Sequence, residues 1–127
     1  MARYIDRIGT SLSEATSEAE MTGSPYSPVK SGRLVGLIAT IGGSAATALW
    51  NGGYIRITST SFGGVDCYVP FMGAGIKTAP AFNPNGIVHV AVDLAVQIGV
   101  PIRAYLKHET ADTPITFEAQ LFGVFEG

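Results

Sequence analysis

Charge is what this sequence has least of. Asp, Glu, Lys and Arg make up 14% of its 127 residues, where a soluble domain ordinarily carries about 25%. Between Leu34 and Val92 only Arg56, Asp66 and Lys77 are charged. A free domain normally covers its outside with both signs of charge, for solubility and to discourage sheet edges from pairing. A surface this poor in charge is either built of hydroxyls and small residues or covered by partner chains, and cover by partners is the expectation. Cysteine is nearly absent too. Cys67 stands alone, so there is no disulfide framework within the chain, and synthesis and retention in a reducing host cytoplasm are expected. Two arginines in Met1–Arg7 are not followed by an apolar run of signal-peptide length. With a net charge of −2 there is no global field for nucleic acid or an anionic membrane, and no direct nucleic-acid binding is expected.

One long uncharged run is present. Leu34–Trp50 reaches the lower length limit of a membrane-spanning helix. Gly36, Gly42, Gly43, Thr40, Ser44 and Thr47 interrupt it, and Asn51-Gly52 follows at once as a hairpin turn would. A membrane location is therefore not expected.

The chain divides near Gly32 into an N-terminal arm, residues 1–31, and a β body, residues 32–127. In the arm, Ser11-Leu12-Ser13-Glu14 has the spacing of a helix capping box. The apolar face that follows, Leu12, Ala15 and Ala19, is too thin for a short helix to stand alone. Pro25 and Pro28 favour an extended connector. The arm reads as extended and partly helical, ordered on contact with a neighbour through Tyr4, Ile5, Ile8 and Leu12.

From Arg33 onward, apolar runs alternate with turn pairs. Arg33–Ile41 is apolar on both alternating sets, as in a strand covered on both faces, and Gly42-Gly43 should end it. Ala45–Trp50 and Tyr54–Phe62 flank Asn51-Gly52-Gly53 as a hairpin, closed by Gly63-Gly64, and Val65–Phe71 is a further strand. Met72–Asn85 reads as a long connection with a short strand near Ile76–Thr78. Val88, Val90, Val92, Leu94 and Val96 then share one face against Ile87, His89, Ala91, Asp93 and Ala95. After Ile98-Gly99, Val100, Ile102, Ala104 and Leu106 alternate with Arg103, Tyr105 and Lys107. A polar loop, His108–Thr113, leads to a last strand in which Ile115, Phe117, Ala119 and Leu121 oppose Thr116, Glu118 and Gln120. Seven to eight antiparallel strands at this spacing predict an all-β sandwich or barrel, with a jelly roll favoured.

Catalytic chemistry finds little support. His89 and Asp93 share a strand face but lie about 13 Å apart, at roughly 3.3 Å per residue, too far for a dyad. His108, Glu109 and Asp112 could hold a metal, although a solvated turn is the simpler reading. Cys67 has no neighbouring base or cation in sequence and reads as an inert thiol. In Gly73-Ala74-Gly75-Ile76-Lys77-Thr78 the residue before Lys77 is Ile76 rather than glycine, and Ala79-Pro80 leaves no helix to follow, so it is not a phosphate loop. Arg103 and Lys107 are expected to pair across strands with Glu118. No catalytic residue, metal ligand or cofactor is assigned.

The function expected is that of a non-enzymatic structural subunit of a large assembly, whose partners are its own copies and other shell proteins. In layout the chain resembles the small jelly-roll proteins of virus shells, which implies a phage-type capsid or capsid-cement protein in the virion whose arm ties neighbouring subunits together. Trp50 and Tyr54 complete the interface candidates. The alternative is a small carbohydrate- or ligand-binding β-sandwich module centred on those two aromatics.

Overall fold

The computed structural model describes residues 2–12, 18–45, 49–71, 75–76, 86–110 and 115–127. Within them lie β1 Arg3–Leu12, β2 Ala19–Glu20, β3 Gly32–Ala45, β4 Leu49–Thr58, a 3₁₀ turn Thr60–Phe62, β5 Cys67–Phe71, β6 Gly75–Ile76, β7 Gly86–Val96, β8 Arg103–Thr110 and β9 Ile115–Glu126. These strands form two antiparallel sheets. The first has the order β1-β9-β3-β7; the second runs β2-β8-β4-β5, with β6 also on β4.

Apart from β6, the pairing nests. First strand meets last (β1–β9), second meets second-last (β2–β8), third meets third-last (β3–β7), and the two middle strands meet each other (β4–β5). That is the pairing of one long antiparallel hairpin. The β3–β9 and β4–β8 ladders then join its segments side by side within each layer.

Period-two alternation places the core between the layers. Leu34, Leu37 and Ala39 of β3, Ala119, Leu121 and Phe125 of β9, Ile55 and Ile57 of β4, Val69 of β5, and Ala104 and Leu106 of β8 are buried. Each large apolar side chain buried this way contributes about 1.5–3 kcal/mol. On β7 the split is as the sequence predicts: Val88, Val90, Val92 and Leu94 pack against the core, while Ile87, His89, Ala91, Asp93 and Ala95 are exposed. Gly63 and Gly64 take left-handed φ values of 74° and 82° where the chain turns from the 3₁₀ segment toward β5, a region open to glycine without steric cost.

The N-terminal segment is not an arm. β1 pairs with β9 from Arg3↔Glu126 to Leu12↔Glu118, Ile8 and Met21 are core residues, and Tyr26 bridges Ile102 in both directions at 2.8 Å. The sequence suggested otherwise because this segment's apolar residues are sparse. Tyr4, Ile8, Met21 and Tyr26 are too widely spaced to form a run, yet each finds a partner in the C-terminal third. The boundary near Gly32 consequently separates nothing, since β3 begins there between β7 and β9. Of the expected helix, Ser11-Leu12 and Ala19-Glu20 are strand; Ser13–Ser17 lie outside the described residues.

Two turn signals also resolve differently. β3 continues through Gly42-Gly43 to Ala45, opposite Glu118 and Phe117. Asn51-Gly52 lies inside β4, where the register against β8 shifts between Trp50 and Gly52. The residue pair that suits a tight turn equally suits a β-bulge. Leu49 and Trp50 pair with β6 rather than folding back on Tyr54, so a bulge forms. The described parts of the uncharged 34–50 run, 34–45 and 49–50, are strand, and among the described residues no helix is long and apolar enough to cross a membrane. His108–Thr110, read as loop, extend β8.

Candidate functional site

The two outer faces of the sandwich are chemically opposite. On the first sheet, side chains at Ile5, Val124, Gly36 and Ala91 lie in one row across β1, β9, β3 and β7, and Arg7, Phe122, Ile38 and His89 lie in the next. Gln120, Thr40 and Ile87 form a third. Ile87 is 75% exposed and Ile5 60%, while Val124, Phe122 and Ile38 are half-buried. Arg7 adds a charge in the row of Phe122, and both ion pairs of this face lie at one end. There Arg3 Nε donates to Glu126 at 2.9 Å, and Arg33 pairs with Asp93. His89 folds over Gly36, where an added Cβ would come within 3.2 Å of its Nε2.

The second sheet faces outward with tyrosines and charges. Glu20, Tyr105, Arg56 and Tyr68 form one row over β2, β8, β4 and β5; Lys107, Tyr54 and Pro70 form the next. Arg56 is the hub. Its Nη2 and Nε donate to the two carboxylate oxygens of Glu18 at 2.7 and 3.1 Å, and its Nη1 donates to Asp66 at 3.0 Å. The guanidinium lies 4.5 Å from the centroid of the Tyr105 ring, close enough for cation–π attraction. Tyr54 donates to Glu18 at 2.9 Å and meets Tyr68 edge-to-face at 5.2 Å. The hydrogen bonds from Arg56, more than that from Tyr54, hold the Glu18 carboxyl below its ordinary pKa against an opposing contribution from burial. The same pair raises Arg56, so the bidentate ion pair persists through the physiological range. Tyr54 is raised chiefly by its bond to Glu18.

The candidates picked from sequence separate onto different surfaces. Ile5 is on the aliphatic face and Tyr54 in the Arg56 cluster. Tyr4 is partly buried, stacked on Phe125 at 5.3 Å, and Ile8 is core at 1% exposure. Leu12 pairs through its backbone with Glu118, and Trp50 with Thr110 and Gly75; their side chains lie outside the described residues. Arg103 does not reach Glu118, because β8 and β9 belong to different sheets. Its partner is Glu20 of β2, at 3.1 Å.

Glu18, Arg56, Asp66 and Tyr105 form a cluster that no local pattern marks, since Glu18 and Arg56 are brought together only by the nested pairing. The aliphatic face did leave a signal, in the apolar residues on both alternating sets of Arg33–Ile41.

For the chemical candidates, Asp93 engages Arg33 rather than His89. Cys67 is half-buried, and burial pushes its thiol pKa up, away from the thiolate a nucleophile needs. The side chains of His108 and Glu109, and Asp112 altogether, lie outside the described residues. Among those described, no group of three His, Cys, Asp or Glu could hold a metal ion. Comparisons with protein-family models, with curated proteins and with solved structures find no match to this chain.

Proposed function

We propose that this chain is a non-enzymatic structural subunit of a large assembly, folded as a jelly roll and held to its neighbours through the outer face of the first sheet. The carrying observation is that face: Ile5, Phe122, Val124, Ile38, Ala91 and Ile87 lie on it in adjacent rows, with both ion pairs at one end and only Arg7 and His89 interrupting the apolar rows of Ile5 and Phe122. An antiparallel sheet whose outer face meets water normally alternates apolar-in with polar-out. An aliphatic outer face points instead to a covering partner. Apolar burial supplies the affinity, and the terminal ion pairs help set orientation. The nested pairing is the support for the jelly roll, an architecture shared by capsid proteins, lectins and cupins. A capsid or capsid-cement protein, made in a host cytoplasm and carried in the virion, is the concrete form of this reading, and it rests on that analogy of fold.

The test is light scattering with negative-stain imaging of the purified protein over a wide concentration range. Discrete oligomers or shells are expected, and Ile5→Glu combined with Ile87→Glu should disperse them without lowering the melting temperature. A wild-type protein that stays monomeric at every concentration sinks the proposal.

A second reading, a carbohydrate-binding module, is favoured by one observation: Tyr54, Tyr68 and Tyr105 stand on three neighbouring strands of the second sheet. Arg56 occupies the Tyr105 ring and Glu18 the Tyr54 hydroxyl, which leaves Tyr68, 51% exposed, as the stacking platform. Glycan binding abolished by Tyr68→Ala would favour this reading over the first.

A further inference from the structure

Each sheet has two edge strands, and three of the four are blunted. β2 is two residues long. β5 carries Pro70 among its five residues, and proline cannot donate to a ladder. β1 is capped by the reciprocal Thr10–Thr22 bonds of 2.8 and 2.7 Å and carries Arg3, Asp6 and Arg7. β7 has none of these three, and its one irregularity is a single-residue register shift against β3 between Leu34 and Gly36. It runs for 11 residues, GIVHVAVDLAV, with no proline, no lysine or arginine and one acid. Among the described residues its ladder is with β3 alone and no other backbone group bonds to it; Arg33 of β3 adds a side-chain bond from Nη2 to the Asp93 carbonyl at 3.3 Å. The 3₁₀ turn and β5 also come close to β7. An open, long and apolar edge of this kind is a template for another strand.

The sequence of β7 indicates which strand. Two copies related by a two-fold axis pair antiparallel, and the register using the whole strand puts the axis at its middle residue, Ala91. That same register sets His89 of each copy opposite Asp93 of the other, and Ile87 opposite Ala95. All five of these side chains lie on the exposed face. Maximal overlap and the placing of a hydrogen-bond donor, His89, opposite an acceptor, Asp93, thus select the same register, with Asp93 held in place by Arg33. Any other two-fold register leaves part of the strand unpaired and takes His89 off Asp93.

We propose that β7 pairs edge to edge with β7 of a second copy of this chain, about a two-fold axis at Ala91, joining two first sheets into one continuous eight-stranded sheet. This rests on the assembly reading and names its first contact. The aliphatic face then runs unbroken across both copies, with the most exposed isoleucine, Ile87, packed over Ala95 of the second copy. Main-chain hydrogen bonds supply affinity and the paired His89 and Asp93 fix register. The interface is isologous, the usual form for a homodimer.

Cysteine cross-linking tests the register in the full chain. With Cys67 replaced by alanine, Ala91→Cys places two thiols on the axis, where directly opposed Cα atoms lie about 4.5–5.5 Å apart, within disulfide range. A disulfide dimer is expected on mild oxidation. Ala95→Cys is the control, because its two copies lie about 26 Å apart at eight residues of strand rise, and it should not cross-link. A charge exchange provides the second arm. His89→Asp opposes two pairs of acids and should weaken the dimer about tenfold. Mixing it with Asp93→Lys should restore dimerisation in the heterodimer, where the acid introduced at position 89 faces the base introduced at position 93. Cross-linking through position 91 with rescue on mixing supports the proposal. If the wild type assembles but Ala91→Cys does not cross-link, or cross-links no faster than Ala95→Cys, the edge proposal is overturned and the assembly reading stands. If the wild type is monomeric throughout, both fall.

Discussion

The ring of Phe125 lies over Gly123, so closely that a Cβ at Gly123 would come within 2.7 Å of its Cε2 and 3.0 Å of Ile8 Cδ1. Neither neighbour is free to give way. Tyr4 and Tyr26 stack on Phe125 at 5.3 and 5.5 Å, Tyr26 is tied to Asp6 through its hydroxyl, and Ile8 is enclosed in the core. Overpacking at such a site costs about 1–3 kcal/mol. Gly123→Ala should therefore lower the urea midpoint with little change in its slope.

The same stack makes β1 part of the folding unit. Deleting residues 1–12 removes Tyr4 and Ile8 from the core and the whole β1 ladder from β9. The remainder should lack a cooperative unfolding transition. A truncated chain that melted cooperatively near the wild-type temperature would restore the idea of a detachable arm.

Acid should loosen the second sheet through Glu18. Its folded pKa is depressed, first by the hydrogen bonds from Arg56. The ionised form is therefore favoured by folding, and that contribution is present above the unfolded value of about 4.3. It is lost as pH falls through the folded value. Glu18→Gln should be less stable than wild type at neutral pH, by up to about 1 kcal/mol for so partly exposed a pair. The difference should close on acidification below about pH 4. Paired thermal melts across pH 3–7 measure it.

Cys67 should react slowly. Burial raises its pKa, so at pH 8 iodoacetamide should modify the native thiol at least about tenfold more slowly than the urea-unfolded chain. Equal rates would mean the site opens readily.

Much of the fold is legible in residue order, because period two is written locally. The alternation from Ile87 to Val96 and from Ile102 to Lys107 assigns inward and outward faces that the structure keeps, and Gly63-Gly64 marks a true turn. The candidate surface was only half legible: apolar residues on both alternating sets of Arg33–Ile41 announce an outer face that is not polar, but not which strands extend it.

What the sequence determined by itself is thus the β class and the face of most strands, since alternation needs no knowledge of the partner. Tertiary structure decided the rest. Whether Asn51-Gly52 turns the chain or bulges a strand depends on what lies opposite Trp50. Whether residues 3–12 hang free depends on β9, more than a hundred residues away. Arg103 finds Glu20 rather than Glu118, and Arg56 finds Glu18, because nested pairing joins the two ends of the chain. Strand partnership is a long-range choice made by which apolar faces can be buried together, and residue spacing along the chain carries no record of it.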